Sequence, residues 1–330
     1  MALPVAPLGA DPAQPMLRGD AVERDAEVAA PSRAWAHLRR SPAFWFGAIV
    51  ATAIVLLAIG ADVVARYDPN IAIRGSGLSA DGRPVGPSEE FWLGTDRLGR
   101  DYASRLLHGA RTSLIVALGA NAVAALIGTL VGATAAYAGS PRVTLRVGRW
   151  RRIVALPVEA LLMRATDALL SLPVLLLAIA LAAILGPSLV LLTIVIAAVW
   201  WTTTARIVFS QVRVILAQDF IEAARAIGAR PLRILVVHVL PHIVPLVVVY
   251  ATLGIAAVVL FESTLSFLGA GPPPPAASWG TMIAEHASYY RSDPRLLLLP
   301  GAAIALTVLA FNLLGDALRD ALDPRVASQG

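Results

Sequence analysis

Cysteine is absent from this 330-residue chain, and so is lysine. The first absence excludes a disulfide framework, a thiolate metal centre and a thiol nucleophile. The second leaves arginine as the only strongly basic side chain; with the heavy use of alanine, it reads as the mark of a GC-rich genome rather than as a site. Charge is scarce: 15% of residues are charged, against about a quarter in a soluble domain. No arginine cluster is interleaved with the stacking rings that single-stranded nucleic acid requires, so no nucleic-acid partner is expected. Signature motifs are missing as well. There is no Gly-x-x-x-x-Gly-Lys-Ser/Thr phosphate loop, no His-Glu-x-x-His and no Gly-x-Ser-x-Gly. These absences argue against ATP hydrolysis or intramembrane hydrolysis by this chain, and no enzyme activity or metal site is expected.

What the chain has is apolar length. Hydrophobic residues make up 57% and the mean hydropathy is +0.71, so a polytopic membrane protein is expected. A bilayer-crossing helix takes about 20 mainly apolar residues. Six runs qualify: Phe44 to Val64, Ser113 to Tyr137, Ala165 to Leu185, Ser188 to Phe209, Ile243 to Leu265 and Leu296 to Leu314. The first begins with Phe44-Trp45-Phe46, rings suited to the headgroup interface. The second holds Gly128-xxx-Gly132, read as a tight crossing within the chain rather than a dimer contact. The third contains Pro173, and Gly186-Pro187 turns into the fourth. Residues 1–40 read as a disordered cytoplasmic tail, 67–111 as an external loop with an interfacial helix, and 321–330 as a second tail. No cleavable signal peptide is expected, because the first apolar run is too long and lacks a cleavage site.

Arginines set the orientation. With the amino terminus inside, the inner loops and tails collect about twice as many as the outer loops. The net charge of +5 and the pI near 10.2 follow from such loops. Both termini are then cytoplasmic. So is the segment between the fourth and fifth runs, residues 210–242.

That segment is the most informative. It reads Asp219-Phe-Ile-Glu-Ala-Ala-Arg-Ala-Ile-Gly-Ala-Arg-Pro-Leu-Arg-Ile-Leu-Val-Val-His-Val-Leu-Pro241. It is charged, so it projects into water between two spans. Asp219 with Glu222 has the spacing of a capping box. Ala223 and Ala224 favour helix, Gly228 supplies a left-handed stop, and Pro231 opens a second short helix. Pro241 and Pro245 mark the turn into the fifth span. Two short helices at an angle are expected, with small alanines leaving a ridge that fits a cleft on a partner. The bland alternative is a well-capped connecting loop.

Glu222-Ala223-Ala224, Gly228 and Leu240-Pro241 resemble the EAA loop of ABC importer permeases. Three further segments extend the resemblance to the C-type permease subunit of dipeptide/oligopeptide importers, with their nickel-peptide relatives. These are Leu93 to Leu114, with Gly94-Thr-Asp and Gly99-Arg-Asp; Glu262 to Gly271, followed by Ser278-Trp-Gly280; and Phe311 to Arg325. They span roughly residues 40–325. The departures are the long amino-terminal tail, an arginine-rich insert over Arg142 to Arg152, and the prolines 272–275. The resemblance implies an all-α, six-helix type I ABC importer permease fold with a cytoplasmic coupling helix. It also implies a homologous permease partner, two ABC ATPase subunits that carry the ATP and Mg, an extracytoplasmic substrate-binding protein, and peptide cargo. Asp219, Glu222, Ala223, Ala224, Gly228, Pro231, Leu240 and Pro241 would couple to the ATPase.

Other residues carry competing readings. Glu262 lies late in the fifth span and either meets a peptide amine in the translocation path or packs helices. Thr95, Asp96, Arg100, Asp101 and Trp279 are candidate contacts for the binding protein; the bland reading has Asp101 capping a short interfacial helix that carries Leu106 and Leu107. Arg164 and Asp167 are read as an interfacial pair. His238 and His242, at helical spacing, lack a third ligand and are read as packing. Cargo alternatives are nickel, haem or another small solute. Alternatives of a different class are a secondary carrier that works without ATP, and a cargo-free scaffold.

Overall fold

The computed structural model describes residues 38–138, 142–147, 150–155, 157–186 and 188–322. For 142–147 and 150–155 the backbone alone is described. Most of the expected amino-terminal tail, and the carboxyl tail beyond 322, lie outside the described residues. Among the described residues the chain is mainly helical, with a long irregular loop over 65–101 and one short ribbon.

The elements, in order, are α1 (Pro42–Ile59), α2 (Ala61–Val64), α3 (Tyr102–Ala138), strands β1 (Arg142–Val147) and β2 (Trp150–Ala155), α4 (Val158–Leu170), α5 (Val174–Leu185), α6 (Leu189–Leu216), α7 (Asp219–Ala226), α8 (Leu240–Leu265), α9 (Trp279–His286) and α10 (Arg295–Leu322). Ser41 caps α1 by accepting from the Phe44 amide. Five stretches are long and apolar enough to cross a membrane: Pro42–Ile59, Tyr102–Ala138, Leu189–Leu216, Pro231–Ala270 and Arg295–Leu322. The bent pair α4–α5 makes the sixth if it counts as one span.

The third span departs from a straight helix. α4 and α5 meet at 88° across Ser171-Leu172-Pro173. Pro173 has no N–H to donate, and its ring disfavours helix in the residue before it, so α4 stops short and α5 restarts after the proline. The fifth span departs in the other direction. No turn forms at Pro241 or Pro245. A single turn at Pro231–Arg233 runs through a π-helical stretch, Ile234–Val239, straight into α8. The wider π turn shifts the hydrogen-bond register ahead of Pro241, which sits in the first turn of α8. The second short helix of the loop is therefore the end of the fifth span itself.

α3 is the longest element described. At 37 residues it runs about 55 Å, well beyond the roughly 30 Å hydrocarbon core. It begins at Tyr102, so Leu106 and Leu107 belong to its first turns and no separate interfacial helix precedes it. α3 packs most extensively on α6; α8 packs on α10, and α10 on α1. Gly128 and Gly132 make the α3–α6 approach close. A Cβ on Gly128 would lie 2.6 Å from the Trp201 carbonyl oxygen. The small-residue pair serves an intramolecular crossing, as the sequence suggests.

Two apolar cores result. One joins α1, the first half of α3, α5, the start of α6, α8, α9 and α10. The other gathers Ala133 and Ala136 of α3, Val208, Val212 and Ile215 of α6, Ile221 of α7, and Ile234, Val239 and Ile243. The second core anchors the charged segment at one end of the bundle.

Candidate coupling site and its counterpart at the other end

α7 is short because its sequence stops it. Ala223 and Ala224 hold the helix; then Gly228 takes φ +82°, a conformation that glycine adopts freely and other residues resist. No atom lies within 4 Å of where a Gly228 Cβ would be, so the requirement is conformational and not spatial. The Ala229 amide donates to the Ala224 carbonyl at 3.0 Å and the Gly228 amide to Arg225 at 3.0 Å, closing the carboxyl end. The expected capping box does not form. Gln218 is the N-cap residue, with no side-chain bond, and Asp219 stands at the first helical position. Asp219 and Glu222 instead lie in the first turn, where their charge opposes the helix dipole.

One face of α7 is buried and one is free. Ile221 and Ala224, three apart, are buried, and Ile221 enters the second core. Glu222, Ala223, Gly228, Pro231 and Pro241 are exposed, and Leu240 is partly buried. Glu222 has no ion pair or hydrogen bond within the described residues. The same segment carries two large apolar side chains in the open, Ile227 at 86% and Leu232 at 71% exposure. Phe220 stacks on His242, with ring centres 5.5 Å apart, which ties α7 to α8. His242 Nδ1 faces the His238 carbonyl at 2.7 Å, so these histidines pack and do not converge on a metal. At the same end, Arg213 of α6 lies 3.5 Å from Glu159 of α4. Asp167 pairs with Arg206 of α6, not with Arg164.

Glu262 is fully buried near the other end. Its carboxylate accepts from the Ser266 hydroxyl at 2.7 Å and the Ser263 hydroxyl at 3.4 Å; the hydroxyls of Ser113 and Ser278 also interact with it. These serines come from α3, the end of α8 and the N-cap of α9. In this conformation Glu262 joins three elements.

The five residues proposed from sequence as binding-protein contacts are buried and committed to the chain. Thr95 exchanges bonds with Val85: its amide donates at 3.0 Å, and its hydroxyl accepts at 2.8 Å. Asp96 accepts from the Leu98 amide at 2.8 Å, the Arg100 amide at 2.9 Å and Arg100 Nε at 2.6 Å. Asp101 caps α3, accepting from the Ser104 amide at 2.8 Å and hydroxyl at 2.6 Å. Trp279 donates from Nε1 to the Leu106 carbonyl at 3.2 Å. Arg100 also reaches Glu285 Oε2 at 2.8 Å, and Arg105 reaches the same oxygen at 3.1 Å. Arg105 is fully buried.

Glu285, Arg105 and Arg295 were not singled out in the sequence. Glu285 lies some 180 residues from its partners, a distance no local motif bridges. Arg295 carried one usable signal: it is the last charge before a span. It donates to the Val85 carbonyl at 2.7 Å and also bonds Leu93, holding the loop against the start of α10. Asp96, Glu285 and His286 present ligand atoms within 4.8 Å of one another. Both carboxylates are already paired with guanidiniums, so the donor set does not suit a cation. His286 is buried, with Nδ1 against the Met282 carbonyl at 2.7 Å and Nε2 without a partner among the described residues. Burial holds its pKa below the usual value.

Known proteins can be set beside this geometry. Residues 128–328 match the family model for the binding-protein-dependent transport system inner membrane component. Residues 32–79 match the N-terminal TM domain of oligopeptide transport permease C. The di/tripeptide transport system permease protein DppC of Pseudomonas aeruginosa is 41% identical over 83% of this chain and 85% of its own length. The dipeptide transport system permease protein DppC of Alkalihalophilus pseudofirmus is 37% identical over 89% of this chain and 90% of its own. The glutathione transport system permease protein GsiD of Escherichia coli is 39% identical over 88% and 89%.

Proposed function

Because this chain belongs to the family of binding-protein-dependent transport system inner membrane components, a non-catalytic, multi-pass membrane subunit of ABC importers, we propose that α7 is the handle by which separate ATPase subunits drive it. The secondary-carrier and scaffold alternatives fall away with that membership. What carries the reading is the exposed side of this segment: Glu222, without an ion pair among the described residues, on a short helix that Ile221 anchors in the second core, followed by exposed Ile227 and Leu232. An exposed apolar pair flanked by charge is the pattern of a partner surface.

In this reading both termini and α7 face the cytoplasm, and a homologous permease completes the central path. ATP and Mg reside on the ATPase subunits. ATP binding closes the ATPase pair and carries α7 with it. Because the helical path from Pro231 through the π-helical stretch to Leu265 has no intervening loop, the displacement passes directly into the fifth span, and the Phe220–His242 stack keeps α7 in register with it. Rigidity matters here, since a flexible joint would dissipate the stroke. The cargo is a di- or oligopeptide delivered by an extracytoplasmic binding protein, as the names of the relatives suggest. Glutathione, itself a small peptide, fits the same class. The binding protein meets the exposed part of the outer cap, Trp92, Arg97 and Leu98, which Thr95, Asp96, Arg100 and Asp101 hold from beneath.

The cysteine-free chain makes the test direct. Ala226→Cys, in complexes assembled with the ATPase subunits, is expected to cross-link to an ATPase subunit and to be shielded from a soluble thiol reagent by it. Labelling of that cysteine from outside intact cells, or no cross-link in a transport-competent complex, would sink the docking reading.

A further inference from the structure

The segment between α3 and α4 takes no part in the sites above. β1 and β2 pair antiparallel and pack chiefly on each other. Five arginines fall between Arg142 and Arg152, and no acidic residue occurs between Ala138 and Glu159. The register sorts them. Arg142 pairs with Ala155, Thr144 with Ile153, and Arg146 with Arg151; these share one face. Val143 pairs with Val154, Leu145 with Arg152, and Val147 with Trp150; these share the other. One face is therefore cationic and the other mainly apolar. Arg146 directly opposite Arg151 is a like-charge cross-strand pair, which destabilises a ribbon unless an anion neutralises it.

The ribbon's position is constrained. Three residues separate it from Ala138, the end of a membrane-spanning helix, a reach of at most about 14 Å. α4 begins three residues after β2 and carries Glu159, which faces Arg213 near the end of α6. The ribbon therefore leaves the bundle at the same end as α7. A basic, amphipathic, Trp-bearing segment held at a membrane surface matches the chemistry of anionic lipid headgroups, where each arginine contributes about 1 kcal/mol.

We propose that this ribbon binds anionic phospholipid. By register, the face that carries Val143, Leu145, Val147 and Trp150 is assigned to the headgroup–acyl boundary, and the face that carries Arg142, Arg146 and Arg151 to the lipid phosphates. The assignment to the cytoplasmic leaflet rests on the orientation proposed above; the lipid chemistry does not.

The test uses the full chain. Val147→Cys provides a single thiol for a polarity-sensitive dye. In nanodiscs of phosphatidylcholine with increasing phosphatidylglycerol, the dye emission is expected to shift blue. Replacing Arg142, Arg146 or Arg151 by Gln is expected to raise the half-saturating phosphatidylglycerol fraction about fivefold for each. High salt should reverse the shift in the parent chain, a readout that needs no arginine variant to fold. The same emission in neutral lipid, or a shift that requires added ATPase subunits instead of phosphatidylglycerol, overturns the proposal. An impermeant thiol reagent separates the two readings. Labelling of Val147→Cys from outside cells would reverse the orientation while leaving lipid selectivity intact.

Discussion

Gly132 of α3 lies so close beneath Ala205 of α6 that a Cβ on the glycine would sit 2.4 Å from the Ala205 carbonyl oxygen. Backbone cannot yield as a side-chain tip can. Gly132→Ala is therefore expected to force the two helices apart and cost about 1–3 kcal/mol. Gly119→Ala is the internal comparison: its Cβ would meet only a Thr193 methyl at 3.2 Å. Thermal unfolding of the purified chain should rank Gly132→Ala well below Gly119→Ala. Equal melting points would refute the close crossing.

Gly228 and Glu222 separate conformation from contact. Gly228→Ala keeps the open space but must adopt φ +82°, at about 1–2 kcal/mol. Gly228→Pro cannot adopt it at all, because its ring fixes φ near −65°. Gly228→Asn is better tolerated, since Asn visits that region. Glu222→Arg touches nothing inside the chain and should leave stability within about 0.5 kcal/mol. Both Gly228→Pro and Glu222→Arg are expected to reduce peptide uptake and cargo-stimulated ATP hydrolysis while membrane insertion stays normal. Unchanged uptake by the pair would remove α7 from the coupling path.

Glu285 serves two arginines through one oxygen, and its loss leaves Asp96 as the carboxylate that both must share. Glu285→Ala is expected to destabilise the outer cap by about 3 kcal/mol, the low end for a broken buried pair because the Glu285 side chain retains 23% exposure. Adding Arg105→Met should recover part of that loss, since one buried cation, Arg100, then faces the one buried carboxylate, Asp96. Strictly additive effects in the double variant would show that Arg105 and Glu285 are not coupled.

The membrane-crossing runs and the α7 segment were legible in the sequence because both depend on local order: apolar length, small residues at helical spacing, a glycine stop. Gly128 and Gly132 announced their crossing in the same way. The misreadings share a cause. Proline was read as a stop at Pro241, yet a π turn upstream carried the helix through; at Pro173 it was read as tolerated within a span, and the chain bent by 88°. Asp96 and Arg100 form a short-range pair, but the second partner of Arg100, Glu285, comes from the far side of the chain. Thr95 and Asp101 looked like surface contacts because polar residues in a loop between spans usually are, and Trp279 because it follows the prolines 272–275. Only the packing of the 67–111 loop and the start of α3 against α9 and α10 makes them interior. The arginine-rich insert read as charge alone, and its amphipathic register required the strand pairing.

His286 makes the cap at the end opposite α7 sensitive to pH. Its Nδ1 is engaged with the Met282 carbonyl, its Nε2 is buried, and burial depresses its pKa. Asp96 and Glu285 favour its charged form and Arg105 opposes it, but burial outweighs them. The unfolded histidine titrates near pH 6.5. Above that value neither state holds the proton and His286 contributes no slope. As pH falls below about 6.5, the unfolded chain takes up a proton that the folded cap refuses, so stability drops by up to about 1.4 kcal/mol per pH unit until the folded value is reached. His286→Phe fills the same space without titrating. Melting temperatures of both chains between pH 7.5 and 5 should diverge on acidification, the parent falling more steeply. The other histidines are common to both and cancel in the comparison. Parallel curves across that range would mean that His286 is protonated as readily in the folded cap as in the unfolded chain.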